Sequence, residues 1–230
     1  MKILYLESAT PVCSVILADG HTILSRRESD APNAHSSKMA VFVDEVLREA
    51  SVQPHDLDAV CVSSGPGSYT GLRIGTSSAK GFCYALGIPL LAVPTLQSMA
   101  SLFYMQHPDF DGLVCPMIDA RRMECYTAIF DRHLNEVKPV SADIIEAGIY
   151  DQYLAQSPVA FVGDGAAKTR DILGVSPQAR FLDFTITAEG MIPLAISRLD
   201  NQQVEDVAYF EPFYLKDFVA AKPVVKGLQK

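Results

Sequence analysis

Short blocks of apolar residues separated by turn residues open the chain and predict a β-sheet. Residues 2–7 and 12–18 are apolar runs of strand length. The Asp19-Gly20 pair after the second run is a strong hairpin signal, and it predicts a third strand over residues 21–28. The first segment is therefore predicted to fold as a three-stranded meander.

The next stretch changes from a strand period to a helical period. From Ser37 to Ala50, apolar residues recur every three or four positions while charged residues fill the opposite side, as in a helix with one buried face. An apolar run at 59–62 predicts a buried strand. The segment that follows, up to Leu86, predicts a second helix, and residues 89–94 predict a further strand. The predicted order of elements is β-β-β-α-β-α-β.

A second unit with the same kind of pattern begins after residue 95. Its predicted elements are a helix at 96–105, strands at 113–118, 125–130 and 159–162, and a helix at 187–198 with Thr187 as its cap and Pro193 as its weak point. Residues 206–218 are predicted to form a final helical or irregular segment. We expect two α/β lobes, residues 1–95 and a reduced lobe at 96–230 whose last segment packs back on the first.

The composition narrows the class of protein. Hydrophobic residues make up 49% of the chain and charged residues 20%, so there is enough apolar material for a sizeable core. The formal net charge of −8 argues against a protein that binds nucleic acid by itself, because phosphate contacts need clustered lysine and arginine. Five scattered cysteines, the lack of a long apolar run and a start that is already a strand predict a reduced, cytoplasmic protein without a membrane segment.

The segment between the fourth predicted strand and the end of the second helix carries the most specific pattern. Pro66-Gly67 forms a tight turn, Ser68 or Thr70 caps the helix, and Gly87 ends it.

Small residues form a stripe along this helix. Gly71, Gly75 and Ala79 lie four residues apart and therefore on one helix face. A glycine inside a helix costs about 0.5–1 kcal/mol relative to alanine, so a close approach of another backbone is the expected compensation. The approaching backbone belongs either to the same domain or to a partner, and the spacing leaves both open.

Patterns that carry catalytic chemistry are incomplete. Residues 65–67 (Gly-Pro-Gly) are not followed by the Lys-Ser/Thr of a P-loop, and they lack the third glycine of a dinucleotide fingerprint. Ser63, Ser64 and Ser68 lie in a strand-turn-helix context, but the G-x-S-x-G of a nucleophile elbow is absent. Neither nucleotide hydrolysis nor nucleophilic catalysis is therefore predicted.

Charged residues Asp119, Arg121 and Glu124 lie in a predicted turn between two strands. They form either an ion-pair cluster or a structural turn with solvated charges, and the turn is the simpler interpretation. The cysteines have no C-x-x-C pair and no histidine at metal spacing beside them. The sequence therefore predicts no metal site and no catalytic residue.

Four motifs resemble the TsaB (YeaZ) family in order and spacing, and together they cover essentially the whole chain. They are ILYLESATPVCSVIL at 3–17, GPGSYTGLRIG at 65–75, DARRMECY at 119–126 and VGDGA at 162–166. The second motif is long and specific. The resemblance implies an α/β, two-lobed actin/hexokinase/Hsp70-like (ASKHA) fold with β-β-β-α-β-α-β lobes, the second lobe being reduced. It also implies kinship with TsaD, the transferase that places a threonylcarbamoyl group on tRNA.

The resemblance implies a partner-binding surface on the two helices of the first lobe, which form a four-helix bundle with a TsaD-type transferase. The implied contact residues are His35, Met39, Phe42, Val43, Val46, Thr70, Gly71, Ile74, Gly75, Ser78, Ala79 and Phe82. The same surface is expected to form a homodimer in isolation, and a TsaE-type ATPase is expected to join the assembly.

The resemblance also implies a nucleotide site, ATP or ADP at the subunit junction, with no cofactor of the chain's own. The implied residues are Glu7, Ser8, Thr10, Gly163, Asp164 and Gly165. Glu7 departs from the aspartate that the family usually has at this position. The H-x-x-x-H metal pair of the catalytic relatives corresponds to His35 and Met39, and methionine is a poor ligand for such a metal, so the metal site is expected to be lost.

The resemblance thus implies a non-catalytic scaffold subunit that pairs with the transferase for modification of the adenosine 3′ of the anticodon in tRNAs reading codons that begin with A. Contact with tRNA is expected only through the complex. The alternative is an independent enzyme of this fold, an ATP-dependent phosphotransferase or a glycoprotease-like peptidase. A homodimeric regulatory binding protein is a third possibility.

Overall fold

The computed structural model describes residues 1–216 and contains two five-stranded sheets, each covered by helices. The first sheet and its helices comprise β1 (Lys2–Glu7), β2 (Cys13–Asp19), β3 (Thr22–Ser29), α1 (Ala34–Glu49), β4 (Ala59–Ser63), α2 (Tyr69–Leu86) and β5 (Leu90–Val93). The remaining elements are α3 (Thr95–Gln106), β6 (Leu113–Asp119), β7 (Glu124–Phe130), β8 (Glu136–Ile144), α4 (Asp151–Leu154), β9 (Val159–Val162), α5 (Arg170–Leu173), β10 (Ala179–Phe181) and α6 (Ile192–Asp200). Short 3₁₀ turns lie at Pro54–Asp56, Ala167–Thr169 and Ala188–Met191.

The two sheets share one topology. The strand orders are β3-β2-β1-β4-β5 and β10-β9-β6-β7-β8, so β6 to β10 repeat the roles of β1 to β5. In each sheet the first three strands pair antiparallel, and the last two join in parallel through helical crossovers. The crossover helices α4 and α5 have four residues each against 16 and 18 in α1 and α2, so the second lobe is a reduced copy of the first.

Both faces of β1, β2, β4 and β5 are buried, which explains why these four strands are nearly unbroken apolar runs, whereas the edge strand β3 is mostly exposed or half-buried. Leu4 and Leu6 face α1 and α2, whereas Ile3 and Tyr5 face the other way. That second face is covered by the 3₁₀ turn at 188–191 and by α6. The last helix of the described chain therefore packs on the first sheet.

The helix termini follow local sequence chemistry. The Ser68 hydroxyl accepts from the Gly71 N–H at the start of α2, and Gly87 ends the helix with φ of 69°, a left-handed conformation that glycine adopts without strain. α1 begins at Ala34, three residues before the predicted start.

The prediction for the second lobe was wrong in three places. β8 was missed, and so were α4, α5 and β10, which are too short to leave a periodic signal. The predicted helix at 187–198 divides into a 3₁₀ turn and α6, because Pro193 fits only the first turn of a helix. The predicted helical or irregular segment 206–218 is irregular over 206–216, and its last two residues lie outside the described part. None of the helices within residues 1–216 is long and apolar enough to cross a membrane.

Candidate functional site

The glycine stripe of α2 rests on the turn between β1 and β2. A β-carbon on Gly71 would overlap the Ser8 carbonyl oxygen, and one on Gly75 would overlap the Ser8 hydroxyl, both closer than the 3.0 Å limit of real β-carbons. Gly67 meets the backbone of Ala9 in the same way. The close approach that Gly71 and Gly75 allow is therefore made by the chain's own β1–β2 turn, and their contact with a partner stays a prediction.

Several other predicted contact residues are also internal. Met39, Phe42, Val43 and Val46 of α1 are at most 8% exposed and belong to the core between α1, α2 and the first sheet. Ala79 of α2 joins the same core. These five residues form the inner face of the helices within the described fold, and their place in a partner contact stays a prediction.

The outer face of α1 and α2 is rich in small residues. The more accessible predicted residues Thr70, Ile74, Ser78 and Phe82 lie on or beside it. The exposed positions on the two helices that the sequence analysis had not named include Ser37, Ala40, Val41, Ser77, Gly81, Tyr84 and Ala85. Tyr84 is 86% exposed and Val41 51%, and a β-carbon on Gly81 would meet nothing within 4 Å. A helical projection that places the buried positions of each helix on one side would have identified this face on the other side.

A cleft of 810 Å³ separates the two lobes. One wall is the β1–β2 turn with Thr10 and the first turn of α2. The opposite wall is the β6–β7 hairpin with Arg121, together with Asp164 after β9. The carboxyl ends of the parallel strands β4 and β9 lead into this cleft, which is where ligands of open α/β sheets bind.

The predicted nucleotide residues of the first lobe divide between the cleft and the interior. Thr10 lines the cleft and is 3% exposed, and its hydroxyl has no hydrogen-bond partner within residues 1–216. Glu7 is fully buried, with Oε1 accepting from the Ala9 N–H (2.7 Å) and from the Ser63 hydroxyl (3.0 Å). Burial raises the pKa of Glu7 to about 7, against these hydrogen bonds. Glu7 and Ser8 are therefore buried beneath the β1–β2 turn, which they stabilise, and they do not face the cleft.

The predicted residues of the second lobe behave similarly. Gly163 has φ of 104° and packs on the backbone of Met117, and Gly165 packs against Cys125. Asp164 between them lines the cleft, and burial raises its pKa, with the nearby charge of Asp119 acting in the same direction. The turn thus presents one carboxyl group to the cleft.

The charged hairpin is organised by two lysines that the sequence analysis missed. Asp119 pairs with Lys168, and Glu124 pairs with Lys216. Burial acts to raise the pKa of Asp119, but the hydrogen bonds from Lys168 and from the Arg121 N–H outweigh it, so this pKa is lowered. Arg121 takes part through its backbone, since its φ of 70° closes the hairpin. Lys168 and Lys216 are 49 and 92 residues away from their partners along the chain, beyond the reach of any local pattern.

The position of the metal pair of catalytic relatives is not suited to a metal. Met39 is 1% exposed and packed in the core, and the His35 Nε2 lies 3.3 Å from the Val12 carbonyl oxygen. Burial lowers the pKa of His35. Within residues 1–216, no group of three or more histidine, cysteine, aspartate or glutamate side chains is arranged to hold a metal ion.

Comparison with known proteins places the chain among tRNA-modification proteins by similarity. The Escherichia coli (strain K12) tRNA threonylcarbamoyladenosine biosynthesis protein TsaB is 29% identical over 229 residues, which cover 96% of this chain and 97% of that protein. The Bacillus subtilis (strain 168) protein of the same name is 33% identical over 130 residues, 56% of this chain and about half (55%) of that protein.

Solved structures agree with the fold. YeaZ from Pseudomonas aeruginosa is 25% identical with a TM-score of 0.78, covering 93% of this chain and 99% of that one. The activator of the 2-hydroxyisocaproyl-CoA dehydratase from Clostridium difficile is 9% identical with a TM-score of 0.52, covering 88% and 97%. These matches confirm the predicted two-lobed actin/hexokinase-like (ASKHA) fold.

The family match extends over most of the chain. The family model described as "TsaD: tRNA N6-adenosine threonylcarbamoyltransferase" matches residues 28–223. That span includes α1, α2, the cleft-lining hairpin and the turn after β9. The chain therefore belongs to the TsaD family and, by its similarity to the named relatives, to the TsaB (YeaZ) branch within it.

Proposed function

We propose that this chain takes part in threonylcarbamoyladenosine biosynthesis on tRNA, the process named for its TsaB relatives. Its role is that of a non-catalytic subunit, which pairs with a TsaD-type transferase and holds it in an active arrangement. A TsaE-type ATPase joins the assembly, and tRNA reaches the chain only through the complex, in the cytoplasm. The net charge of −8 supports a chain that leaves tRNA binding to its partners.

The outer face of α1 and α2 carries this proposal. Small side chains at Ser77, Ser78 and Gly81 let a second helix pair approach closely, while Val41 and Tyr84 supply apolar and aromatic contacts at its edges. Both helices are held from below by the core, so the surface is already formed before a partner binds. A copy of the chain is a weaker substitute partner on the same face, which gives a homodimer in isolation.

Two observations favour a non-catalytic role. At the position of the second histidine of the H-x-x-x-H metal pair, this chain has Met39, whose side chain is buried in the core. The acidic residue at the end of β1 is Glu7, which is fully buried and bonded to Ala9 and Ser63 and so has no access to a substrate in the cleft. A general acid or base must reach the reacting atoms within hydrogen-bond distance.

The cleft supports nucleotide binding as a lesser proposal. Thr10 lines the cleft with a buried hydroxyl that has no partner within residues 1–216, and Arg121 lies on the opposite wall. ATP or ADP there would lie at the junction with the transferase, and hydrolysis by the isolated chain is not expected.

The decisive experiment is tRNA modification with the organism's own TsaD, TsaE and threonylcarbamoyl-adenylate synthase, with and without this chain. We expect modified adenosine, measured by mass spectrometry of digested tRNA, to depend strictly on the chain. ATP hydrolysis by the chain alone is the control, and the expected result is none above background.

The alternatives predict different results. An independent phosphotransferase or peptidase would show turnover as a purified chain, lost on changing Thr10 or Asp164. A homodimeric regulatory protein would leave modification unchanged when it is omitted. Either result would overturn the scaffold proposal.

A further inference from the structure

The last described segment, residues 203–216 (the strap), crosses from the first lobe to the second. Its start is tied to the first sheet, because the Glu205 N–H donates to the Leu90 carbonyl (2.9 Å). Farther along, the Phe213 N–H donates to the Ser64 carbonyl (2.7 Å) at the turn before α2. These backbone hydrogen bonds fix the strap along one side of the first lobe.

Side chains fasten the middle of the strap to α2. The Lys80 ammonium donates to the carbonyl groups of Ala208 (3.1 Å) and Phe210 (3.0 Å). Val207 and Phe210 are half-buried against the core beneath α2. This part of the strap is a fixed component of the first lobe.

The end of the strap is held differently. The ring of Tyr214 contacts the ring of Tyr69 at the start of α2, with 4.8 Å between centroids. Two residues later, Lys216 pairs with Glu124 of the β6–β7 hairpin, which belongs to the second lobe. Tyr214, Leu215 and Lys216 all line the cleft between the lobes. The side chains of Lys216 and Glu124 are 45% and 21% exposed, so solvent and salt weaken this pair.

We propose that residues 214–216 are a latch across the mouth of the cleft. The Lys216–Glu124 pair joins the strap to the second lobe, the Tyr214–Tyr69 contact holds the end of the strap on the first lobe, and release of the latch opens the cleft. The latch is reversible, because it consists of one exposed ion pair and one aromatic contact, while the strap behind it is anchored by backbone hydrogen bonds. Access to the cleft is thereby controlled by residues 214–216.

The test measures access to the cleft by thiol chemistry. All five native cysteines are buried, and burial raises the pKa of each thiol, so they react slowly. An Ala120→Cys variant places one thiol on the cleft wall, beside Glu124, in the full chain. We expect Lys216→Glu in this background to raise the rate of reaction with an aromatic disulfide reagent about fivefold to tenfold, since it replaces an attraction by a repulsion.

Charge reversal provides the matched control. The double change Glu124→Lys and Lys216→Glu restores the pair with opposite sign, and we expect it to return the rate to the original value. Lys216→Arg should leave the rate low. Tyr214→Ala should raise it, whereas Tyr209→Ala, which removes a strap ring that is 83% exposed, should not.

Two outcomes would overturn the latch. One is an unchanged rate in the Lys216→Glu variant, and the other is a double reversal that remains as fast as the single change. Because Lys216 is exposed, each variant is expected to fold, and equal thermal midpoints by circular dichroism check this before rates are compared.

Discussion

The Ser8 hydroxyl oxygen packs so closely against Gly75 that a β-carbon added at position 75 would overlap it. Gly81, six residues farther along the same helix, has open space at the corresponding position. The two glycines therefore offer a matched pair of substitutions in one helix. We expect Gly75→Ala to lower the free energy of unfolding by about 1–3 kcal/mol through overpacking. Gly81→Ala should raise it by about 0.5–1 kcal/mol through helix propensity. Urea unfolding of both variants measures the difference, and equal effects would refute the assignment of the two faces.

A bulkier change at Gly81 tests the proposed partner face without disturbing the fold. We expect Gly81→Leu to leave the monomer at least as stable, because leucine is a good helix former and the site is open. Association with the TsaD-type partner should weaken by tenfold or more, since the added side chain holds the helices apart. Analytical ultracentrifugation or calorimetric titration measures the affinity. Unchanged affinity would place the partner surface elsewhere.

Glu7 should make stability depend on pH near neutrality. Burial raises its folded-state pKa from the ordinary 4.5 to about 7, so the unfolded chain releases this proton at lower pH than the folded chain. The contribution to stability is complete below pH 4.5, decreases as pH rises and is lost above about 7, in total on the order of 3 kcal/mol.

Glu7→Gln isolates this contribution, because the amide oxygen can still accept from Ala9 and Ser63. We expect the variant to be more stable than the parent at pH 8 and to lose that advantage at pH 4.5. Unfolding by urea across this range gives the comparison. Parallel stability curves for the two proteins would show that Glu7 is not buried as described.

The polar network around Asp143 of β8 should contribute less to the free energy of unfolding at low pH. Asp143 accepts hydrogen bonds from Thr127, Ser141 and Tyr150 and pairs with Lys138 at 2.9 Å. Burial acts to raise the pKa of Asp143, but these four donors outweigh it and lower it. The stability it provides is therefore present above the ordinary aspartate pKa and lost as pH falls through the lower folded value.

Asp143→Asn removes the charge and leaves Lys138 unpaired at 16% exposure. We expect a loss of about 3–5 kcal/mol at pH 7, which shrinks as the pH is lowered toward 3. Lys138→Met combined with Asp143→Leu is the control, and it should be much less destabilising than the single change. A single variant with parental stability would contradict the network.

The same network explains why the sequence failed to reveal β8. The strand is at the edge of its sheet, and it carries Lys138, Ser141 and Asp143 where an apolar alternation would otherwise mark it. Their burial is offset by hydrogen bonds among the three side chains and by Thr127 and Tyr150, which come from other parts of the chain. The first lobe was predictable because β1, β2, β4 and β5 are buried apolar runs, the Asp19-Gly20 turn signals β3, and α1 shows a full helical period.

For the site, periodicity identified the helix face formed by small residues but left open which backbone approaches it. A spacing of four shows that Gly71, Gly75 and Ala79 share one side of α2, but it does not show what that side touches. The answer depends on the β1–β2 turn, more than sixty residues earlier in the chain. Likewise, the motif resemblance predicted residues that line the cleft. It did not predict the roles of Lys168 and Lys216, because these lysines reach Asp119 and Glu124 only in the folded chain.

The contact between α2 and the β1–β2 turn has a mechanical consequence. Side chains between two packed elements form a layer that can rotate and slide, and here that layer is almost absent. The backbones of Gly67 and Gly71 lie against the carbonyl oxygens of Ala9 and Ser8, and only the short side chains of Ala9 and Ser8 intervene. The Ser68 N–H also donates to the Ala9 carbonyl at 2.7 Å. We therefore expect turn and helix to move as one stiff piece, so that a displacement on the cleft side would also displace the opposite, outward surface of the helix.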